Sequence, residues 1–378
     1  MKRSEILFII SSFLVWRVFI LVVAIFSIKY LPLFSQNYFG GGYSNYISNP
    51  IFWGHGNFDG EHYLSIAQNG YQPLEYFFFP LFPLLIRFLT ISKSLINFAW
   101  TGIIISNLFF LISLFFLYKL VKIDYSDKIA KPVMLLLLLF PTSFYFGNIY
   151  TESLFFLLAI LSFYFARKKN YLVAAFFVAL ASATRVIGIF LLPVIFVEWF
   201  FERRHNYLEF LEILIISPIG LLYYMYFLLK ETHDPLIFVH QVSIFGQQRS
   251  SSLVILPQVI YRYIFEIFPH VSYLYFPNVF TTYLEFSFAI LFLALIIFGV
   301  FKLRLSYSLY AAVAFIIPTL AGSFSSMPRY ILVIFPVFIL VGVYLAKLPK
   351  IYTYVLFFVM IVLFVIAESF FWRGYWVS

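Results

Sequence analysis

The sequence predicts an all-α integral membrane protein. Of its 378 residues, 63% are hydrophobic and only 11% are charged, which excludes an ordinary soluble domain. Apolar windows of about 20 residues, the length of helix that crosses a hydrocarbon core, recur from end to end of the chain. Strand-type alternation of polar and apolar residues is not sustained, so helices are favoured.

We predict about eleven membrane helices in a single domain that covers residues 1–378. The first apolar window is too long for a signal-peptide core and lacks a small-residue cleavage site, so we expect it to be retained as a helix. The predicted spans lie near residues 5–27, 96–118, 133–149, 152–166, 171–184, 187–201, 209–229, 280–301, 306–322, 330–346 and 351–371.

Basic residues predict the orientation of these helices. Short loops rich in Lys and Arg stay in the cytoplasm, and Lys2 and Arg3 precede the first span, so the N-terminus is expected there. The net charge of +9 follows from the same rule and does not indicate nucleic acid. The other basic loop residues are Lys119, Lys122, Lys128, Lys131, Arg167, Lys168, Lys169, Arg203, Arg204, Lys302, Arg304, Lys347 and Lys350.

Two long segments, approximately residues 28–95 and 230–279, are then expected on the outer face. They contain five of the six histidines, whereas the cytoplasmic loops are short, so any chemistry is expected outside. Pro80 and Pro83 interrupt an apolar run in the first segment. Because proline removes helix hydrogen bonds, we expect a bent or half-inserted helix there.

An acidic cluster follows the first span. Asp59, Glu61 and His62 occur within four residues, and on a helix Asp59 and His62 share a face while Glu61 points elsewhere. A carboxylate can accept the proton of an attacking hydroxyl as a new bond forms, and Asp59 is suited to that role. The alternative is a solvated carboxylate that caps a helix starting near Gly60.

Arg185 is expected at the outer end of a span, and an arginine at membrane depth usually has a specific partner. Its planar guanidinium suits a lipid phosphate. A structural ion pair with Glu152, at another outer turn, is the alternative. Glu152 could also cap the following helix or contact a sugar.

Further polar residues lie at the same face. His240 and Gln241 follow an Asp-Pro helix start, where a capped surface helix is the simpler interpretation. Arg329 and Tyr330 lie at another outer boundary. Arg329 is either a second contact to phosphate or sugar, or an interfacial anchor whose charged end reaches water.

The sequence does not require a cofactor. The histidines show no familiar zinc-ligand spacing, and the chain contains no cysteine, which excludes thiolate ligands and disulfides. A divalent cation held by Asp59 and Glu61 is an alternative that the sequence leaves open.

Seven stretches along the chain form a recognisable set. In order, they are Phe58–Ala67 with Gly70-Tyr71, Phe79–Pro83, Thr151–Leu154, Ala181–Arg185, Asp234–Leu236 with Phe238, Met327–Tyr330 and Phe335-Pro336. Together they resemble the PIG-V family, the GPI mannosyltransferase 2-like proteins of the GT-C superfamily. The family often carries Trp before the catalytic Asp, where this chain has Phe58.

The resemblance implies about eleven membrane helices and inverting sugar transfer, typically of mannose, from a polyprenyl- or dolichyl-phosphate donor. Asp59 corresponds to the catalytic Asp, and Arg185 and Arg329 to contacts with the donor phosphate or the site. The composition suggests a prokaryotic relative in a cell membrane, whose acceptor is a glycolipid, a glycan or a protein. A transporter or flippase of polyprenyl-linked sugars is the rival hypothesis, with Arg17 and Glu285 as its candidate midplane charges.

Overall fold

The computed structural model describes residues 1–34, 36–201, 206–245, 249–250 and 252–377, and within these ranges the regular structure is helical. The predicted all-α class is therefore confirmed. The α-helices are α1 Arg3–Tyr30, α2 Tyr43–Ser48, α3 Pro50–Trp53, α4 Asp59–Asn69, α5 Leu81–Leu89, α6 Leu95–Asp124, α7 Asp127–Leu138, α8 Glu152–Arg167, α9 Tyr171–Ser182, α10 Leu191–Phe200, α11 Tyr207–Ile216, α12 Ile219–Thr232, α13 Ile237–His240, α14 Leu256–Arg262, α15 Phe276–Val300, α16 Leu305–Thr319, α17 Met327–Tyr330, α18 Phe335–Leu345 and α19 Lys350–Trp372.

The predicted count of eleven spans is not confirmed. Within the described ranges, five helical stretches are long and apolar enough to cross a membrane: α1, α6, α15, α19 and the run Tyr207–Thr232. A sixth is obtained if Met327–Val333 and Phe335–Leu345, which meet at 78°, form one broken span. Several other predicted spans correspond to shorter helices.

Breaks in the apolar runs explain this difference. The predicted span 133–149 is interrupted because α7 ends at Leu138, and a 3-10 turn over Ser143–Gly147 follows. Pro141 lies between these two elements and cannot donate a helix hydrogen bond. Mean hydropathy along a window does not register such a break.

Helix α8 lies at the centre of the molecule. It packs along both α6 and α9, and every residue from Glu152 to Phe163 is buried. A helix that is hydrophobic all round is enclosed either by protein or by lipid, and the burial of α8 shows that protein encloses it. At 1.5 Å per residue, its 16 residues separate its two ends by about 24 Å.

Ion pairs gather at the C-terminal end of α8. Arg167 binds Asp124 through two hydrogen bonds of 2.6 and 2.7 Å, and Arg304 binds Glu198 with hydrogen bonds of 3.2 and 2.9 Å. The Arg167 Nε atom lies 3.7 Å from Glu198 Oε2. Basic residues predicted for one membrane side thus meet at one end, while Arg203 and Arg204 lie outside the described residues.

Short helices occupy the two long segments at the other end. Helix α5 begins directly after Pro80 and has nine residues, which agrees with the expectation that this run is not a clean span. The two segments touch each other where Gln241 Nε2 donates a 3.1 Å hydrogen bond to the Pro73 carbonyl. The first segment contacts the residue that precedes α8, where the Tyr63 and Thr151 hydroxyl oxygens lie 3.4 Å apart.

Candidate active site

A strained backbone residue positions Asp59. Phe58 has φ 56° and ψ −119°, a conformation that is unfavourable for a residue with a side chain. Its N–H donates to the Tyr38 carbonyl at 2.7 Å, and its ring packs 5.3 Å from Trp376. Asp59 is the first residue of α4, and no side chain caps this helix, so the capping alternative is not observed.

Arg329 is presented in a similar way. Helix α17 starts after Ser326, which has a left-handed backbone with φ 66°. The Ser326 N–H donates a 3.1 Å hydrogen bond to Glu285 Oε1. The 78° break that follows leaves α17 as a short helical turn, and this turn brings Arg329 to Asp59.

Four charged side chains form a connected series of ion pairs, the ion-pair chain, which consists of Asp59, Arg329, Glu152 and Arg185. Arg329 Nη1 donates a 2.6 Å hydrogen bond to Asp59 Oδ2, and Arg329 Nε lies 3.2 Å from Glu152 Oε1. That second contact lacks hydrogen-bond geometry and is electrostatic. Arg185 Nη1 donates to the same Glu152 oxygen at 3.2 Å. The ion pair between Arg185 and Glu152 that the sequence left open is therefore present.

The centre of the ion-pair chain is buried away from water. Glu152 is 1% exposed and Arg329 is 5% exposed. The Arg329 guanidinium lies 5.5 Å from the ring centres of both Tyr145 and Tyr150 and 5.4 Å from that of Tyr330, which stabilises a cation. Arg329 is thus an interior residue and does not extend to the surface as an interfacial anchor would.

The environment of Asp59 favours its carboxylate form. Burial alone would raise the pKa of Asp59. The charge of Arg329 and its hydrogen bond outweigh burial, so the pKa lies below its ordinary value. Asp59 is therefore ionised at neutral pH.

His62 and Glu61 follow Asp59 on α4 and differ in their surroundings. Glu61 is exposed, as helical spacing predicts. The His62 ring stacks on Phe78 with 4.7 Å between ring centres, and its Nδ1 lies 3.7 Å from Glu75 Oε1. Burial would lower the pKa of His62, but the carboxylate of Glu75, together with those of Asp59 and Glu61, raises it overall.

A cavity of about 340 Å³ opens beside the ion-pair chain. The charged residues in its wall are Asp59, Arg185, Arg249 and Arg329, accompanied by Tyr330. The remaining wall is largely apolar, so the cavity has both a charged region and a hydrophobic one. The apolar and aromatic lining residues are Tyr63, Phe77, Phe78, Phe79, Val186, Ile187, Phe190, Phe238, Val239, Val242, Leu253, Ile317, Pro318, Leu320, Ala321 and Val333.

Two predicted site residues lie elsewhere. His240 is exposed, and its Nδ1 lies 2.6 Å from Asp234 Oδ2. Asp234 also accepts a 2.9 Å hydrogen bond from the Leu236 N–H, as expected for a capped surface helix. Gln241 contacts Pro73. Neither His240 nor Gln241 is part of the cavity wall among the residues that the structure describes.

Sequence reasoning missed Arg249. Its Nη2 atom donates hydrogen bonds of 3.2 Å to Ser326 Oγ and 3.5 Å to the Tyr330 hydroxyl, which places a third guanidinium at the cavity. An isolated arginine in a polar stretch, within a segment already expected to carry chemistry, was an available signal.

The described residues offer little support for a metal site. Among them, no group of three or more His, Asp or Glu side chains could hold a metal ion. A divalent cation between Asp59 and Glu61, the alternative that the sequence leaves open, would compete with Arg329, which already contacts Asp59 Oδ2. Glu61 is directed towards solvent.

Comparison with solved structures finds a distant similarity. The crystal structure of the Archaeoglobus fulgidus oligosaccharyltransferase in the apo form is 13% identical, with a TM-score of 0.43. The same enzyme tethered to an acceptor peptide containing the NVT sequon is 11% identical, with a TM-score of 0.41. Each match covers 95% of this chain and 55% of the other, so this chain spans about half the length of that enzyme.

No curated protein matches the chain. A family model matches residues 5–209, more than half of the sequence, and its description is that of a glycosyltransferase. Together with the apolar helices, this match places the chain in the class of membrane glycosyltransferases. The chain belongs to the mannosyltransferase (PIG-V) family, and the resemblance recognised from its motifs is confirmed.

Proposed function

We propose that this protein transfers a sugar, typically mannose, from a polyprenyl-phosphate donor to a hydroxyl of a glycan, lipid or protein, with inversion at the anomeric carbon. The observation that carries the proposal is the ion-paired chain of Asp59, Arg329, Glu152 and Arg185 beside an apolar cavity. It combines an ionised carboxylate, cations for a phosphate, and hydrophobic walls for a lipid.

Asp59 is the general base of the proposed reaction. The acceptor oxygen attacks the anomeric carbon and forms the new glycosidic bond, while Asp59 takes the proton of the hydroxyl. The bond between the anomeric carbon and the phosphate oxygen breaks, and its electron pair remains on the phosphate. Attack opposite to the leaving phosphate inverts the anomeric configuration.

Arginines stabilise the leaving phosphate. The departing group gains negative charge, which fixed cations in a partly enclosed site stabilise more strongly than water does. Arg185 is the first candidate for this role, with 15% of its side chain exposed. Arg329 is held more tightly between Asp59 and Glu152, and Arg249 supplies a further cation from the second long segment.

The lipid begins in the apolar part of the cavity. A volume of about 340 Å³ lies at the lower end of the range for ligand pockets and suits a sugar phosphate with the first units of a polyprenyl chain. Phe190 and Phe238 are among the walls that such a chain would contact. We further propose that the site faces the outer side of a prokaryotic cell membrane, with the N-terminus in the cytoplasm.

The environment of Glu285 favours an enzyme over the rival transporter. Glu285 accepts hydrogen bonds from the Ser326 N–H at 3.1 Å and the Tyr263 hydroxyl at 3.2 Å. Through these contacts Glu285 supports the turn that carries Arg329. A transporter would instead require a charge that alternates between two exposures.

The decisive experiment incubates the purified protein with radiolabelled polyprenyl-phosphate mannose and a membrane lipid extract. We expect label to move into a new product, and Asp59→Asn to lower turnover by about a hundredfold or more. Glu61→Gln is the matched control and should change it little, because Glu61 points to solvent. Sequestration of label without a product would favour the transporter, and a dead Glu61→Gln beside an active Asp59→Asn would refute the assignment of the base.

A further inference from the structure

Glu152 is the least exposed charged residue of the ion-pair chain. It is the first residue of α8 and is 1% exposed. Its Oε1 atom contacts both Arg329 and Arg185 at 3.2 Å, while Oε2 is buried without a hydrogen-bond partner among the described residues. The two guanidinium groups and the helix N-terminus stabilise its negative charge.

Glu152 stands behind the arginines and does not line the cavity itself. Among the described lining residues, three arginines and Asp59 carry charge, so a bound phosphate meets cations first. The Glu152 carboxylate nevertheless acts on that phosphate through the field inside the protein. It lowers the net positive charge of the site by one unit without occupying any of the space.

The proposed reaction changes the charge of the lipid. A polyprenyl-phosphate sugar is a phosphodiester with a single negative charge. Cleavage of its bond to the sugar leaves a phosphomonoester, which carries about −1.5 to −2 at neutral pH. Coulomb energy is proportional to charge, so a fixed carboxylate opposes the product about twice as strongly, in free energy, as it opposes the donor.

We propose that Glu152 is a specificity-determining residue that makes the site hold a lipid phosphodiester and release a lipid phosphomonoester. This inference rests on the proposed function, because it assigns the arginines to a lipid phosphate. Glu152 has two effects in this arrangement. Its contacts hold the arginines in place, and its charge limits their attraction for the dianionic product.

Binding measurements with two soluble probes test this role. Farnesyl phosphate represents the monoester product, and methyl farnesyl phosphate represents the diester donor. Their dissociation constants are measured at neutral pH for the wild type, Glu152→Gln, Arg185→Gln and the double variant. Glu231→Gln, at an exposed position on α12, is the matched control for removal of one carboxylate.

The charges of the site and of the two probes determine the expected pattern of affinities. Glu152→Gln keeps the shape of the side chain and removes its charge, so the diester should bind about tenfold more tightly and the monoester about a hundredfold more tightly. Arg185→Gln should act by the same factors in the opposite direction, weakening the diester about tenfold and the monoester about a hundredfold. The double variant has the wild-type net charge and should restore the wild-type ratio of the two affinities, and Glu231→Gln should leave that ratio unchanged.

Several outcomes would overturn the inference. If Glu152→Gln changed both affinities by the same factor, or weakened both, Glu152 would be structural. If that variant failed to fold, the double variant would be decisive, because an altered affinity ratio in it would contradict the charge argument.

The proposed function can fail separately. If the wild type and the variants show the expected pattern of affinities but the wild type transfers no labelled sugar, the phosphate site is supported and the proposed transferase activity is refuted. Should it transfer sugar while Glu152→Gln leaves the affinity ratio unchanged, only the role of Glu152 would be refuted. In an active enzyme, Glu152→Gln should also make turnover more sensitive to inhibition by added farnesyl phosphate.

Discussion

The pair formed by Asp59 and Arg329 sets the acid–base behaviour of the proposed site. Burial and the guanidinium act on the carboxylate in opposite directions, and the guanidinium dominates. A carboxyl whose pKa is depressed in the folded state adds stability above its unfolded pKa, and this contribution is lost as the pH falls through the folded pKa. The same depression keeps Asp59 available as a base in mildly acidic solution.

We therefore predict that Arg329→Gln moves the acidic limb of the pH profile of kcat/KM upward. Burial remains in this variant while the opposing cation is lost, so the pKa of Asp59 rises. The profile is measured with a labelled donor on the residual activity. Arg87→Gln, on an exposed part of α5, should keep the wild-type limb. An unshifted limb in Arg329→Gln would mean that another group titrates.

At this scale the sequence singled out the members of the ion-pair chain. Asp59, Arg185, Arg329 and Glu152 stood out because charges are rare in so apolar a chain, and the structure brings all four together. The sequence offered the Arg185–Glu152 pair as one alternative. It could not show the pair of Arg329 with Asp59, since that contact depends on the meeting of α4 and α17. The position of Arg249 was missed for the same reason.

At the scale of elements, a close approach of two backbone segments determines the position of Arg185. A Cβ atom added at Gly188 would lie 2.2 Å from the carbonyl carbon of Ala181 and 2.4 Å from the Ser182 nitrogen. The chain thus folds back onto the end of α9, and Arg185 lies in the turn between. Only glycine permits this approach without a shift of the backbone.

We predict that Gly188→Ala lowers both the thermal stability and the affinity for a lipid phosphate. The added methyl group would push the turn away from α9 and misplace the Arg185 guanidinium. The melting temperature in detergent and the dissociation constant of farnesyl phosphate are the two measurements. Gly299→Ala is the control, since its nearest contact is the flexible Leu303 side chain at 3.3 Å. Unchanged binding in Gly188→Ala would show that the turn tolerates the shift.

The apolar windows predicted where helices occur better than where they stop. Helices α1, α6, α15 and α19 match their windows closely, because nothing interrupts the apolar run. The window near 133–149 contains a 3-10 turn, and the window near 330–346 contains a 78° bend, and neither was predicted. Both breaks depend on local proline and tertiary contacts, which a hydropathy average does not contain.

At the scale of the whole molecule, a second ionic cluster stabilises the end opposite to the cavity. Glu198 is buried at 9% exposure and accepts hydrogen bonds from Arg304 and Ser306. It thereby joins α10 to the start of α16, and through Arg167 to the end of α8. Removal of one partner from a buried pair leaves the other charges uncompensated.

We predict that Glu198→Gln lowers the free energy of unfolding by about 3 kcal/mol and leaves affinity for farnesyl phosphate unchanged. Thermal unfolding in detergent gives the first quantity, and probe binding gives the second. Glu231→Gln, at an exposed position, should change neither. If binding weakened together with stability, the two ends of the molecule would be coupled.

Sidedness is also a property of the whole molecule. Cysteine at Asn69, an exposed residue at the end of α4, should react with an impermeant thiol reagent in intact cells. Cysteine at the exposed Asn170, in the turn between α8 and α9, should react only after lysis. The absence of native cysteines makes the labelling specific. Reaction of the Asn170 variant in intact cells would reverse the orientation and place Asp59 on the cytoplasmic side.

The left-handed backbone of Ser326 has a consequence for attempts to make this protein more robust. Glycine adopts a φ of 66° without the penalty that a side chain incurs, so a screen for heat resistance should favour Ser326→Gly. The same exchange removes the hydroxyl that anchors Arg249. Selection for heat resistance and selection for activity should therefore choose different residues here, and a thermostabilised variant made for structural work could lose the cation that the native site presents to its ligand.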